Sequence, residues 1–362
     1  MGHKRVVRVG IIGCGGIAFG KHMPSLNRLE NVEMVAFCDI DIEKAMNAKE
    51  QYGIEGAKTY ADYHELLKDT SIEVVHVLTP NRSHADISVA ALESGKHVMC
   101  EKPMAINYPD AKRMLEAAQT SGKKLTIGYQ NRFRDDSTLL QEYCKQGDLG
   151  EVYYAKAHAL RRRAVPTWGV FLKAEEQGGG PLVDIGTHAL DLTLWFMDNY
   201  KPKSVVGNVY RKLADQKDAG NEWGQWDTEQ FTVEDSAFGF ITMENGATIL
   251  LESSWALNIL DGGEAMTTLC GTKAGADMND GLRINFVEHD KQLTTIPTPR
   301  GKAVAFFGKK EVDPALVEAT QWIDAIINDT DPLVKPEQAI VVTRILDAIY
   351  ESARTGKPVY FD

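Results

Sequence analysis

The chain has 362 residues, 43% of them apolar and 25% charged, and its 51 acidic side chains outnumber 40 basic ones for a net charge of −11. This composition excludes a largely disordered chain, and the length predicts about two domains. An acidic chain is a poor match for nucleic acid or an anionic membrane surface, and no apolar run approaches the ~20 residues of a membrane span, so small molecules are the natural partners.

Residues 1–5 lead straight into an apolar run, with no signal-peptide pattern, and Gly2 lacks the Ser or Thr that myristoylation needs at position 6, which is Val6. Apolar runs at 6–12, 32–38, 74–78, 97–100 and 125–128 alternate with helical patterns near 16–29, 42–52, 62–69, 83–95 and 108–121. Strands rich in Val, Ile and Leu without alternation are buried on both faces. Alternating with helices, they predict an α/β fold that opens with a doubly wound parallel sheet. Asp41, Ser83 and the Pro109-Asp110 pair read as helix starts. The boundary between domains falls near 125–135, giving domains over 1–130 and 131–362. Beyond it, longer strands at 152–160, 205–209, 231–243, 247–257 and 284–288 look mostly antiparallel, with a turn at Glu244-Asn245-Gly246. A helix runs from Asp184 through Phe196, residues 262–278 resist assignment, and amphipathic helices near 314–328 and 336–354 close the chain. These last helices are free to pack back on the first domain. Five scattered cysteines (Cys14, Cys38, Cys100, Cys144, Cys270) fit reduced thiols in the cytoplasm. His97 and Cys100 have metal-like spacing but no second pair, so no metal site is assigned.

The first strand runs into Gly13-Cys14-Gly15-Gly16-Ile17-Ala18, the GxGxxA form of the dinucleotide fingerprint. Gly13 permits the tight turn, Gly15 lets the backbone approach a pyrophosphate, and Ala18 allows close helix packing. The helix start offers free N–H groups to the phosphates. An ordinary glycine turn is the competing reading. Asp39, ending the second strand, is placed to bind the adenosine ribose and to repel a 2′-phosphate, which favours NAD over NADP. Asp39 and Asp41 also both suit capping; Asp41 suits it better, which leaves Asp39 free. The polar loop Thr79-Pro80-Asn81-Arg82-Ser83-His84 ends a parallel strand, where ligands sit in such sheets, although a plain strand-to-helix turn explains it equally well. With Ile40, Glu101 and Lys102, these residues make up the candidate cofactor site.

Glu101-Lys102-Pro103 places a lysine at the carboxyl edge of the sheet, with a proline suited to a rigid and even cis turn. Its ammonium can stabilise developing alkoxide charge, though such a tripeptide is more often a surface turn. In the stretch 178–191, GGGPLVDIGTHALD, Asp184 and His188 are four apart and share a helix face. A carboxylate beside an imidazole raises its pKa and orients it for proton relay. The plainer alternatives are a helix N-cap for Asp184 and a core histidine for His188.

Taken together, GCGGIA at 13–18, EKP at 101–103, YQNRF at 129–133 and GGGPLVDIGTHALD at 178–191 resemble the Gfo/Idh/MocA family of sugar oxidoreductases over nearly the whole chain. The resemblance implies a Rossmann domain and then an α/β domain with a large, mostly antiparallel open sheet. It also implies a nicotinamide cofactor and homo-oligomers, dimers, tetramers or larger, packed through that sheet. Lys102 matches the family's catalytic lysine, and Asp184 and His188 match the residues that hold and deprotonate the substrate hydroxyl. The reaction implied is hydride transfer between NAD and a secondary hydroxyl of a sugar, glycoside or inositol. Arg132, Arg163 and Trp168 are further candidates for binding substrate, with Trp223 and Trp226 as an outer rim. The loop from Arg161 to Gly169 looks like that of members oxidising C3 of glycosides. Two alternatives stay open: a glycosidase or lyase that oxidises C3 transiently with retained NAD, and a non-enzymatic NAD sensor. The intact Lys102, Asp184 and His188 count against the sensor.

Overall fold

The structure is a computed structural model that describes residues 5–297 and 313–361. Met1 to Lys4, including Gly2, lie outside the described residues. The chain divides into two compact units, one of residues 5–130 with 313–340 and one of residues 131–297 with 341–361.

The first unit holds six strands: β1 (Val7–Ile12), β2 (Val32–Cys38), β3 (Lys58–Tyr60), β4 (Val74–Val77), β5 (His97–Cys100) and β6 (Leu125–Ile127). They pair in parallel in the order β3-β2-β1-β4-β5-β6. Parallel neighbours need crossovers, and the helices Ile42–Tyr52, Tyr63–Leu67, His84–Glu93 and Tyr108–Ser121 supply them. The strand order reverses between β1 and β4, so their carboxyl ends open the crevice where such sheets bind ligands. Val7, Val9 and Ile11 of β1 are fully buried, and their core is completed by Ala319, Trp322, Ile323 and Ile326 of the helix Pro314–Ile327.

Asp41 caps its helix as expected, accepting the Glu43 N–H. Ser83 does not cap. Its hydroxyl donates to Thr79 Oγ1 and the Pro80 carbonyl instead, and a single 3₁₀ turn, Asn81–Ser83, precedes the helix. Before Pro109 the cap is Asn107, which accepts the Asp110 N–H. The expected first helix over 16–29 is a π-turn, Ala18–His22, followed by the α-turn Met23–Leu26.

The second unit is built on nine strands: β7 (Val152–Leu160), β8 (Pro202–Tyr210), β9 (Ser236–Met243), β10 (Thr248–Ser254), β11 (Gly263–Gly271), β12 (Ala274–Asp277), β13 (Arg283–Glu288), β14 (Lys291–Thr295) and β15 (Val359–Tyr360). Their order is β14-β13-β12-β11-β7-β10-β9-β8-β15, and only the β7–β10 pair is parallel. The predicted hairpin joins β9 to β10, with Gly246 at φ +88° in its turn. The helix Thr187–Met197 packs on β7 and β11.

Two strands are shorter than their apolar runs. β9 starts at Ser236 because Glu234 turns inward, where its carboxylate accepts the N–H groups of Gly180 and Leu182 and the Tyr350 hydroxyl. β10 stops at Ser254, whose hydroxyl donates to the Asp235 carbonyl and accepts the Ala256 N–H, so Trp255 leaves the sheet.

Candidate active site

In the first unit the glycine turn fits a dinucleotide. Gly13 has φ +93°, and a side chain there would meet the Leu78 carbonyl carbon at 2.7 Å, so only glycine allows β1 to turn against the end of β4. Above Gly15 and Gly16 a β-carbon would meet nothing within 4 Å, which leaves the backbone open for a phosphate to approach. Cys14 is buried, and burial followed by the charge of Asp39 pushes its thiol up to about 12. Ile17 is 42% exposed and Ile40 95%, an unusual exposure for isoleucine that suits a flat apolar ligand. Ala18 is fully buried, as close packing requires.

Asp39 is engaged on the protein side. One carboxylate oxygen accepts the Cys14 N–H at 2.9 Å and the other the Asp41 N–H at 2.9 Å. Each oxygen keeps a second lone pair, so Asp39 both shapes the glycine turn and retains acceptor capacity for ribose hydroxyls. Thr79 and Asn81, half-buried, and exposed Pro80 end β4 beside this turn. These residues fit a nicotinamide dinucleotide.

Two residues of the expected cofactor set lie inside the protein instead. His84 is fully buried, with Nδ1 2.8 Å from the Pro103 carbonyl and Nε2 2.9 Å from that of Thr79, so it ties the loop after β4 to the loop after β5. Burial holds its pKa below the usual value despite those two carbonyls. Glu101 faces away from solvent. Its Oε1 takes Lys21 Nζ at 2.7 Å and His22 Nε2 at 2.8 Å, and its Oε2 accepts the Lys102 N–H at 3.0 Å. Burial alone would raise the Glu101 carboxyl, but Lys21 and His22 hold it well below the carboxylate range. Lys21 also meets Glu318 Oε2 at 2.9 Å, so one ammonium serves two carboxylates. This buried cluster, missed in the sequence, anchors the backbone of Lys102, whose bond to Pro103 is cis. The Lys102 side chain is half-buried.

In the second unit the glycine-rich segment makes a tightly packed helix start. A β-carbon on Gly180 would sit 2.2 Å from the Glu234 carbonyl oxygen, so glycine is required there by close approach. The helix opens as a π-turn, Leu182–Gly186, and the Asp184 N–H bonds the Gly180 carbonyl, which places Asp184 within the helix and not at its cap. From Pro181 to Phe196 every residue is buried except Asp184 and His188. Asp184 Oδ2 accepts the indole N–H of Trp255 at 3.0 Å and lies 4.0 Å from Arg161 Nη1. Trp255 is fully buried and Arg161 mostly so, its fork also gripping Glu264 at 2.5 and 2.8 Å. Trp255 is not among the sequence candidates, and Arg161 enters there only as the first residue of the loop to Gly169.

The other substrate candidates divide. Arg132 is 0% exposed, bonds Asp191 at 2.9 and 2.6 Å and stacks on Trp195, so it is an interior ion pair and not a substrate ligand. Burial pushes the Asp191 carboxyl up against the lowering pull of Arg132. Arg163 is half-buried and donates to Asn258 Oδ1 at 2.7 Å and to the Arg162 carbonyl. Trp168 is exposed at 52% and Trp223 at 39%, whereas Trp226 is buried and donates to the Ala214 carbonyl, so it forms no rim. His97 accepts the Lys124 N–H, and among the described residues no cluster of His, Cys, Asp and Glu is arranged to hold a metal.

Comparison with known proteins gives two family matches. Residues 7–129 match an oxidoreductase family with an NAD-binding Rossmann fold, and residues 141–361 match the C-terminal α/β domain of the same family. The chain is 36% identical to D-glucoside 3-dehydrogenase of Escherichia coli over 98% of its own length and 97% of that protein. It is 33% identical to inositol 2-dehydrogenase of Salmonella typhimurium over 55% of its length and 57% of that protein. Levoglucosan dehydrogenase, solved with NADH and levoglucosan, shares the fold with a TM-score of 0.81 at 22% identity, over 98% of this chain and 99% of that one.

Proposed function

This chain belongs to the Gfo/Idh/MocA oxidoreductase family, and from that premise we propose that it is an NAD-dependent dehydrogenase of a secondary hydroxyl on a sugar, a glycoside or an inositol. The observation that carries this reading is the emergence of Asp184 and His188, alone between Pro181 and Phe196, from an otherwise buried stretch of helix. The bound nicotinamide supplies the hydride acceptor. His188 takes the proton of the hydroxyl as general base. Asp184, held by Trp255 and Arg161, orients His188 or grips a neighbouring hydroxyl. Lys102 stabilises the charge that develops on the substrate oxygen, and in reverse returns a hydrogen bond to the ketone. NAD is preferred to NADP because the Asp39 carboxylate repels a 2′-phosphate. Full-length similarity to a glucoside 3-dehydrogenase favours C3 of a glucoside as the oxidised position.

The protein works as a homo-oligomer built on a second copy of its own sheet face. Supporting this, Val206, Phe240, Leu250 and Lys156 lie in register across β8, β9, β10 and β7, with Val206 and Phe240 nearly half exposed, and they line a groove of about 340 Å³. A cytoplasmic location is supported by five free cysteines. Among the described residues no helix is long and apolar enough to cross a membrane.

The test mixes protein, NAD and a panel of sugars, glucosides and inositols and follows the NADH band. One substrate class should raise the absorbance. Lys102→Ala and His188→Ala should each lower turnover about 10²- to 10⁴-fold. Wild-type turnover in both variants would refute the assignment. Glycoside cleavage without NADH formation would mark the transient-oxidation hydrolase instead.

A further inference from the structure

We propose that Trp168 and Trp223 form a subsite for the aglycone of a glycoside, a ring carried beyond the sugar being oxidised. This rests on the dehydrogenase reading above and narrows its substrate class.

The argument begins with exposure. Trp168 and Trp223 are both more than a third exposed, and their ring centroids stand 5.0 Å apart with planes inclined at 70°. Indole rings are costly to leave in water, and two side by side at the surface mark a place where something apolar docks. Their edge-to-face arrangement makes a corner, in which a flat ring laid on one indole meets the rim of the other. Phe171 continues the wall 5.9 Å from Trp168, again edge to face.

Connection to the chemistry comes next. The Arg161 guanidinium carbon lies 5.1 Å from the Trp223 ring centroid, and its Nη1 lies 4.0 Å from the Asp184 carboxylate. The aromatic corner is therefore joined to Asp184 by two contacts in series through one side chain. Arg161 is not itself free to seek an anion, because Glu264 takes its Nε and Nη2 and its Nη1 donates to the Ala164 carbonyl at 3.1 Å. It acts as a spacer that fixes the Trp223 ring by a cation–π contact.

The platform is also built to stay in place. The Val165 N–H donates to Asn221 Oδ1 at 2.8 Å, and Asn221 Nδ2 donates back to the Val165 carbonyl at 3.0 Å. The Thr167 hydroxyl donates to the Trp223 carbonyl at 2.7 Å, and the Glu222 N–H to the Arg163 carbonyl at 3.1 Å. Four bonds thus lock the loop bearing Trp168 to the loop bearing Trp223. Pre-set aromatic faces lose little freedom on binding, which is how such sites gain affinity. The chemistry that fits is a ring aglycone without charge, either an aromatic ring or the apolar face of a second sugar.

Two measurements test it. Calorimetric titration of the protein loaded with NADH, which cannot accept hydride, compares methyl glucoside, phenyl glucoside and cellobiose. The ring-bearing ligands should bind about tenfold tighter than methyl glucoside. Trp168→Ala and Trp223→Ala should remove that advantage and leave methyl glucoside binding within about twofold, and Trp168→Phe should restore most of it. Tighter phenyl glucoside alone assigns the site to aromatic aglycones, and tighter cellobiose alone to a second sugar. Equal affinity for all three, or equal losses for all three in the alanine variants, overturns the subsite. Initial rates with NAD then separate the two proposals. Tryptophan-dependent binding without NADH formation keeps the subsite and removes the dehydrogenase. Oxidation of all three glucosides with indistinguishable KM keeps the dehydrogenase and removes the subsite.

Discussion

Trp255 donates its indole N–H to Asp184 Oδ2 at 3.0 Å from a fully buried position, so the carboxylate proposed to orient the general base is itself oriented from the core. That bond exists because β10 ends one residue earlier and lets Trp255 leave the sheet.

Trp255→Phe keeps a large ring but removes the donor. We expect kcat to fall about tenfold, the loss of one hydrogen bond to a charged group, with KM for NAD unchanged. Steady-state kinetics at saturating NAD check this. A change in NAD affinity of equal size would show that the substitution acts through general loosening.

Asp39→Asn removes the charge proposed to face the ribose while keeping one carbonyl acceptor for the glycine turn. NADP should gain at least tenfold in kcat/KM relative to NAD, read as the ratio of the two values. Asp39→Ala should lower activity with both cofactors, because the Cys14 and Asp41 N–H groups lose their shared acceptor.

Arg132→Ala leaves Asp191 buried without its ion-pair partner and should cost about 3–5 kcal/mol of stability by denaturant unfolding. The soluble fraction should retain an ordinary KM for substrate. A raised KM at unchanged stability would return Arg132 to the binding site.

Lys21 bridges Glu101 and Glu318, and both the raised Lys21 ammonium and the raised Glu318 carboxyl follow from one cation shared by two acids in a buried setting. Burial is the largest influence on each; it is overcome for Lys21 by the two carboxylates and prevails for Glu318. Lys21→Met should cost about 3–5 kcal/mol. Glu318→Gln should cost less than Lys21→Met, because the amide keeps an oxygen acceptor for Lys21 and Glu101 still pairs the ammonium. Urea midpoints distinguish the two.

Burial lowers the pKa of His76, His84 and His97, the last to about 4, so the native state prefers all three neutral. With folded values below the unfolded 6.5, their contribution is complete above pH 6.5 and is lost as pH falls toward 4. Unfolding free energy should be level between pH 7 and 8 and decline below 6.5. His97→Asn should reduce that slope by an amount equivalent to at most about 3 kcal/mol across the interval.

Much of the first unit can be read in the sequence because both faces of its strands are buried, so Val, Ile and Leu run without interruption. The strand Lys58–Tyr60 escaped notice because it is three residues long, at the sheet edge, with none fully buried. The strands Gly263–Gly271 and Ala274–Asp277 are mostly Gly, Ala, Thr and Cys, with Met266 and Leu269 set apart among them, which leaves no apolar run to notice. The helix Asp135–Gln146 was also missed; only three of its residues are buried, so its apolar stripe is thin. In the candidate site, the shared exposure of Asp184 and His188 is legible by their spacing, and the tight turn at Gly13 by its place after a strand. Trp255, Arg161 and the Lys21 cluster are not, because each acts through a contact made across tens of residues of chain. Ser83 has the composition of a cap, but its hydroxyl finds nearer partners in its own loop.

The core over β1 and β2 includes Trp322 and Ile323, which lie some three hundred residues downstream of Val7 and Val9. During synthesis, then, the nucleotide-binding half waits, with one side of its sheet uncovered, until the segment from Ala319 to Ile326 has left the ribosome. A message cut before these residues leaves apolar strand surface open to chaperones and proteases, although the glycine turn and Lys102 have already been made.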